Sequence, residues 1–93
     1  MKAARDDNYN FMEKLIGQIT HYFDHIGVAV IHLQSELKVG ETIHLVGHGA
    51  DFTQAVDSLQ VEHAQIEVAK KGDDVGLKVS AKVKPGTEVY LVE

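Results

Sequence analysis

Cysteine and tryptophan are absent from the chain, and proline occurs only once, as Pro85, among 93 residues. Without cysteine the protein has no disulfide, no thiolate-ligated metal and no cysteine nucleophile. No apolar run approaches the roughly 20 residues that a membrane-spanning helix needs. Residues 1–10 also lack the hydrophobic stretch of a secretory signal. We therefore expect a cytoplasmic protein with no membrane partner.

Basic residues are fewer than acidic residues in this chain. Nine lysines and arginines stand against 14 acidic residues, which makes the formal net charge −5. General nucleic-acid binding needs a basic face against the phosphates, so this balance disfavours it without excluding a local patch. Five lysines between residues 70 and 84 would form such a patch if they shared a face. A solvated lysine-rich edge that discourages strand-to-strand aggregation is the alternative interpretation.

Catalytic motifs are missing as well. Two pairs of histidines are spaced four residues apart, but in a strand-and-turn context this spacing does not bring the imidazoles together. The chain has no HExxH motif, no GxSxG motif and no phosphate-binding loop. The adjacent Asp73 and Asp74 are typical of a turn whose backbone amides need acceptors. We expect no enzymatic activity, no cofactor, no metal site and no GTP binding.

Short apolar runs separated by turn signals occupy most of the chain. Residues 1–12 are polar and aperiodic, which predicts a flexible N-terminal arm, and residues 13–93 then form a single domain. Alternation of apolar and polar residues predicts six strands, with one helical turn at residues 64–69. The predicted strands cover residues 15–22, 27–33, 42–46, 52–63, 75–79 and 87–92, the fourth with a bulge near residues 57–58.

Six short strands without a long amphipathic helix predict an all-β fold. A flat sheet of this size would expose two edges and one bare face, and closure removes both problems. We therefore predict a small closed six-stranded β-barrel of the Greek-key type. The alternation places eight side chains in its core, namely Val30, Ile43, Leu45, Leu59, Val75, Leu77, Val79 and Val89.

Several motifs in a defined order resemble one family. These are GQI at residues 17–19, LKVGETI at 37–43, GDDVG at 72–76 and KPGTEVY at 84–90. In this order they resemble the second, β-barrel domain of elongation factor Tu and elongation factor 1-alpha, without the GTPase domain. The chain is thus similar to translation elongation factor-like proteins. A similar module also occurs at the end of some collagenase-like peptidases.

The resemblance implies a non-catalytic binding module that docks on tRNA, rRNA or a translation-associated protein. In elongation factors this domain helps to hold the aminoacylated end of tRNA, and the contacting region corresponds to Gln60 and His63 here. The turn with the adjacent Lys70 and Lys71 lies close by in sequence. We expect these four residues to bind the partner. The alternative is a detached accessory subunit or domain partner of an enzyme such as a collagenase-like peptidase.

Overall fold

Every regular element of the computed structural model, which describes residues 13–92, is a β-strand. None of the described residues forms a helix long and apolar enough to cross a membrane. The ten strands are β1 (Glu13–Phe23), β2 (Val28–Leu33), β3 (Leu37–Lys38), β4 (Thr42–Gly47), β5 (Ala50–Ala55), β6 (Leu59–Val61), β7 (Ala64–Ile66), β8 (Val68–Ala69), β9 (Asp74–Lys78) and β10 (Glu88–Val92).

Eight of these strands form one sheet in the order β5-β4-β10-β1-β2-β9-β6-β7, and β3 pairs with β8 in a separate two-stranded ladder. All pairs are antiparallel. The prediction of an all-β fold is confirmed. The predicted closed six-stranded barrel is not confirmed, because the main sheet has eight strands and no backbone ladder joins β5 to β7 among the described residues.

One side chain, that of Gln54, makes hydrogen bonds across part of the opening where no backbone ladder of the described residues closes the sheet. The Gln54 carboxamide on β5 donates from Nε2 to the carbonyl of Lys78 at 2.8 Å, and its Oε1 accepts from the backbone N–H of Ser80 at 2.7 Å. Both partners lie where β9 ends. Gln54 therefore supplies a donor and an acceptor where a neighbouring strand would otherwise do so.

The long strand β1 bends because its register shifts twice. The shifts lie between Leu15 and Gly17 against β10, and between Ile19 and His21 against β2. Such bulges increase the local twist and bend a strand. Gly17 is required at this bend, since a Cβ atom there would lie 2.7 Å from the carbonyl oxygen of His32. The curvature brings β2 and β10 onto either side of β1 around one core.

The core is a single cluster of aliphatic side chains. Seven of the eight predicted core residues are buried, and the exception is Val30. In β2 it is Ala29, Ile31 and Leu33 that point inward, and Val30 lies half-buried on the outer face. The run of apolar residues at 28–31 is uninterrupted, so the sequence carries no alternation there that would indicate which face is buried.

The chain between residues 52 and 69 differs most from the prediction. The expected single strand is divided into β5 and β6 by residues 56–58, and β7 and β8 replace the expected helical turn. The division is real rather than a bulge, because Val56 exchanges backbone hydrogen bonds with Glu41 and Gly40 instead of continuing a ladder. The predicted flexible arm at residues 1–12 lies outside the described residues.

Candidate functional site

Two of the four predicted partner-binding residues lie in one small cavity. Gln60 is exposed on β6, where it pairs with Gly76 of β9 and Gln65 of β7. His63 occupies the tight turn between β6 and β7. The cavity has a volume of about 200 Å³ and is lined by Val30, Gln60, Glu62, His63, Asp74 and Gly76. We call it the β6 cavity.

The other two predicted residues, Lys70 and Lys71, lie on the turn that leads from β8 to β9. The Asp73 carboxylate accepts a hydrogen bond from the Lys70 backbone N–H at 2.9 Å, and the Asp73 N–H donates to the Lys70 carbonyl at 3.0 Å. Asp73 therefore satisfies the turn backbone, as predicted. The two lysines do not line the β6 cavity, but their turn runs directly into Asp74, which does.

A histidine–carboxylate pair borders the β6 cavity. His32 of β2 lies opposite Asp74 in the ladder with β9, and its Nδ1 is 2.8 Å from the Asp74 carboxylate. Both side chains are more than half exposed. Neutral His32 would donate to Asp74 through this nitrogen, which favours the tautomer with the proton on Nδ1. The pair orients a carboxylate and an imidazole toward solvent.

The sequence analysis missed a second cluster, on the outer face of β1, β4 and β5. The imidazole of His44 lies between two carboxylates, with Nδ1 2.9 Å from Glu13 and Nε2 2.5 Å from Asp51. Only 22% of the His44 side chain is exposed. Burial lowers the His44 pKa, but the hydrogen bonds to Asp51 and Glu13 outweigh it, and the pKa is raised from the usual value. Nearby, the hydrogen bond to Glu88, together with burial, raises the pKa of Tyr90.

Both clusters pair imidazoles with carboxylates. No group of three or more histidine, aspartate or glutamate side chains within residues 13–92 is placed to hold a metal ion. The hydrogen bonds of His44 both run to carboxylates, so nothing orients it as a base toward a nucleophile. Only the alternation in β4 could have indicated that His44 faces outward; its partners are 31 and 7 residues away.

The largest cleft described lies at the opposite end of β9 from the Lys70–Lys71 turn. Its volume is about 560 Å³, and we call it the lysine cleft; it is lined by Tyr22, Asp24, His48, Gly49, Lys82, Val83 and Lys84. Pairing of β2 with β9 places Lys78 beside Val28 and Asp74 beside His32, which separates the two ends. The five lysines between residues 70 and 84 therefore do not share one face.

The described residues thus form a small all-β fold with two surface clefts. A comparison with protein-family models finds no match. The chain is similar to an uncharacterized protease of Methanocaldococcus jannaschii, with 37% identity over 79 residues, or 84% of this chain and 19% of that protein. It is also similar to a collagenase of Porphyromonas gingivalis, with 31% identity over 77 residues, or 81% of this chain and 21% of the collagenase. The chain thus spans about a fifth of the length of these relatives.

Solved structures agree with this fold. The C-terminal domain of a Geobacillus thermoleovorans protein described as a U32 peptidase superposes with a TM-score of 0.81 at 18% identity, covering 86% of this chain and 93% of that domain. The selenomethionine variant of the same domain gives a TM-score of 0.78 at 19% identity, covering 82% of this chain and 96% of that domain.

These comparisons overturn the resemblance to translation elongation factors. The similar proteins are peptidases and collagenases, and the similar structures are of a peptidase C-terminal domain. The misleading motifs have a physical origin. The glycines of LKVGE and GDDVG, Gly40 and Gly72, both lie in turns at positive φ, where glycine is favoured in any fold. The expectation of an RNA or translation-associated partner loses its support with the resemblance.

Proposed function

We propose that the chain is a non-catalytic accessory module of a collagenase-like peptidase. The observation that carries the proposal is the coverage of the similarity. It extends over 84% of this chain and only 19% of the M. jannaschii protease. A module that matches so small a part of a peptidase leaves most of the larger protein to provide the catalytic residues. The chain then acts either as a domain of such a protein or as a separate subunit beside it.

The chemistry of the surface supports a binding role. Within residues 13–92 the carboxylates and imidazoles close to one another are engaged in hydrogen-bonded pairs, and none of them activates a hydroxyl nucleophile or gathers metal ligands. Hydrolysis of a peptide bond needs an activated nucleophile or a metal-bound water. The β6 cavity and the lysine cleft offer concave surfaces with charged rims instead.

For the surface that contacts the catalytic part of the peptidase, we keep the four partner-binding residues predicted from the sequence. Gln60 and His63 line the β6 cavity, and Lys70 and Lys71 lie on the turn that leads into Asp74, another residue of its lining. The chain as a whole is acidic, with a formal net charge of −5 that already includes these two lysines. On such a surface Lys70 and Lys71 would pair with carboxylates of the partner, and Glu62 and Asp74 of the cavity lining with its cations.

A domain replacement in the P. gingivalis collagenase tests the proposal. The segment of 77 residues that aligns with this chain is deleted, or replaced by residues 13–93 of this chain. We expect the deletion to lower collagen hydrolysis and the replacement to restore a large part of it. The isolated chain should hydrolyse no collagen. Hydrolysis by the isolated chain, or full activity of the deletion, would contradict the accessory role.

Two further replacements test the docking surface. Lys70→Glu with Lys71→Glu reverses both lysine charges on the turn that leads into Asp74, and we expect it to abolish the restored activity. Lys14→Glu with Lys38→Glu changes the net charge equally at two exposed positions that line neither cleft. This control should keep the restored activity. Equal losses of restored activity in the two double variants would show that the loss comes from the change in net charge and not from the docking surface.

A further inference from the structure

The lysine cleft is a concave surface that the proposed docking leaves free. Its volume of about 560 Å³ falls in the range of sites for small ligands, which is roughly 300–1,000 Å³. Two cations, Lys82 and Lys84, lie in it beside the phenol of Tyr22 and the apolar side chain of Val83. Val83 is buried and Tyr22 packs on the core, so the apolar part of the wall is anchored.

The segment that carries the two lysines is held in place by a buried threonine. Thr87 is a fully buried polar residue, and its hydroxyl accepts from the Lys84 N–H and donates to the Gly47 carbonyl, both at 3.3 Å. The backbone of residues 86–87 also exchanges two hydrogen bonds of 2.8 Å with Ile19. Because β1 and the β4–β5 turn both hold this segment, the cleft is formed before any ligand binds.

His48 completes the cleft in an unusual backbone conformation. Its φ is 52°, in the left-handed region, and its ring lies against Gly86. A Cβ atom at residue 86 would lie 2.6 Å from the His48 Nε2. The position of the imidazole therefore depends on glycine at residue 86.

The charges in the cleft select the kind of ligand. Lys82 and Lys84 provide two positive charges and Asp24 one negative charge, which leaves a net charge of about +1 when His48 is neutral. A carboxylate matches this charge, whereas a phosphate dianion would meet the repulsion of Asp24 without a further cation. Lysine ammonium groups donate charge-assisted hydrogen bonds to carboxylates, and the Tyr22–Val83 wall covers the apolar atoms next to the anion.

We propose that the lysine cleft binds the carboxylate of a peptide, either the C-terminal carboxylate or that of an acidic side chain. The carboxylate chemistry rests on the cleft itself, and the peptide as its carrier rests on the proposed function. Bound in this way, a peptide segment would be held at one end of the module while the β6 cavity contacts the catalytic part.

The test uses the full chain and three short peptides in NMR titrations. The probes are N-acetyl-Gly-Pro-Ala with a free carboxylate, its C-terminal amide, and N-acetyl-Gly-Asp-Ala amide, which carries only a side-chain carboxylate. We expect an acid to bind about tenfold more tightly than the amide without a carboxylate, because at least one charge-assisted hydrogen bond is lost. The peptide acid that binds better identifies the source of the carboxylate. The largest shifts should fall on residues 22–24, 48–49 and 82–84.

Lys82→Gln with Lys84→Gln should weaken binding of the acid at least about tenfold, since both cations are removed. Lys14→Gln with Lys38→Gln removes two exposed charges outside the cleft and should leave the affinity unchanged. Equal affinity for all three peptides, equal weakening by both double variants, or tighter binding of inorganic phosphate would overturn the proposal. Far-ultraviolet circular dichroism of each variant confirms that the fold is retained.

The two proposals fail in different experiments. If the peptide acids do not bind but the domain replacement restores collagen hydrolysis, the site is wrong and the accessory role stands. If the acids bind in the lysine cleft but the replacement has no activity, the carboxylate site stands and the accessory role is wrong.

Discussion

The surroundings of His44 determine the pKa of its imidazole and its contribution to stability. Its imidazole joins β4 to Glu13 at the start of β1 and to Asp51 at the start of β5. The pair of carboxylates raises its pKa in the folded state, so the folded protein binds a proton more tightly than the unfolded chain does. This linkage stabilises the fold fully below the unfolded pKa and disappears as pH rises through the raised, folded pKa.

We therefore predict that His44→Gln costs most stability in mildly acidic solution, at about pH 5 to 6, where the imidazole is charged. The difference in free energy of unfolding between the wild type and the variant should shrink toward about pH 8 to 9. Urea denaturation across this range measures it. The matched variant His25→Gln removes a fully exposed imidazole. If the loss of unfolding free energy caused by His44→Gln grew with pH, the proposed stabilisation of protonated His44 by Glu13 and Asp51 would be wrong.

Two hairpin turns control the arrangement of the elements between residues 42 and 66. In each, both central residues have positive φ, with 52° and 91° at His48 and Gly49 and with 51° and 68° at Glu62 and His63. This is the type I′ turn, which matches the twist of the flanking strands and favours Asn-Gly. The glycines around residue 48 signal a turn in the sequence, whereas Glu62 and His63 do not. This explains why β6 and β7 were not predicted as a hairpin.

Replacing Glu62 and His63 by Asn and Gly should stabilise the protein by about 1 kcal/mol, because relief of the left-handed strain exceeds the entropy that glycine adds to the unfolded chain. Urea denaturation gives the change. Glu62→Ala with His63→Ala removes the same side chains but keeps a Cβ atom at both positions, so it should give no such gain. A gain of the same size in the alanine variant would show that side-chain interactions, not the backbone, cause the strain.

At the scale of the whole molecule, the main sheet curves around the core although its strand order does not close into a barrel. The bulges of β1 and the Gln54 side chain bring the two halves of the sheet around one core, although the strand order stays open. The alternating residues of β4, β9 and β10 contribute side chains to that core. A side chain is thus buried when it lies on the face toward which the sheet curves. For β2, the prediction from the sequence chose the wrong face.

Leu77→Ala should lower the free energy of unfolding by about 2–5 kcal/mol, because it leaves a cavity in the core. Val30→Ala should cost less than about 1 kcal/mol, since Val30 lies half-buried on the outer face and a surface position tolerates truncation. Thermal and urea denaturation, with circular dichroism as the signal, compare the two variants. Equal costs would mean that the two faces of β2 are exchanged.

The candidate sites were predicted only in part. Gln60 and His63 do lie together in one cavity, because they are close in sequence and on the same hairpin. The Glu13–His44–Asp51 cluster and the lysine cleft could not be predicted, since their residues come from strands and turns far apart in the chain. The sequence left open whether the five lysines between residues 70 and 84 share one face, and the antiparallel pairing of β2 with β9 separates them toward two ends.

The amino-acid sequence by itself determined that the protein is all-β, which of the faces in β4, β9 and β10 are buried, and that turns occur near Gly40, Gly72 and Gly86. These features follow from period-2 alternation and from the backbone freedom of glycine, which are local properties. Strand order, the open sheet, the inward face of β2 and the two clefts were decided by the tertiary structure alone. They depend on the pairing of distant segments and on the bulges that bend β1, and no local pattern specifies either.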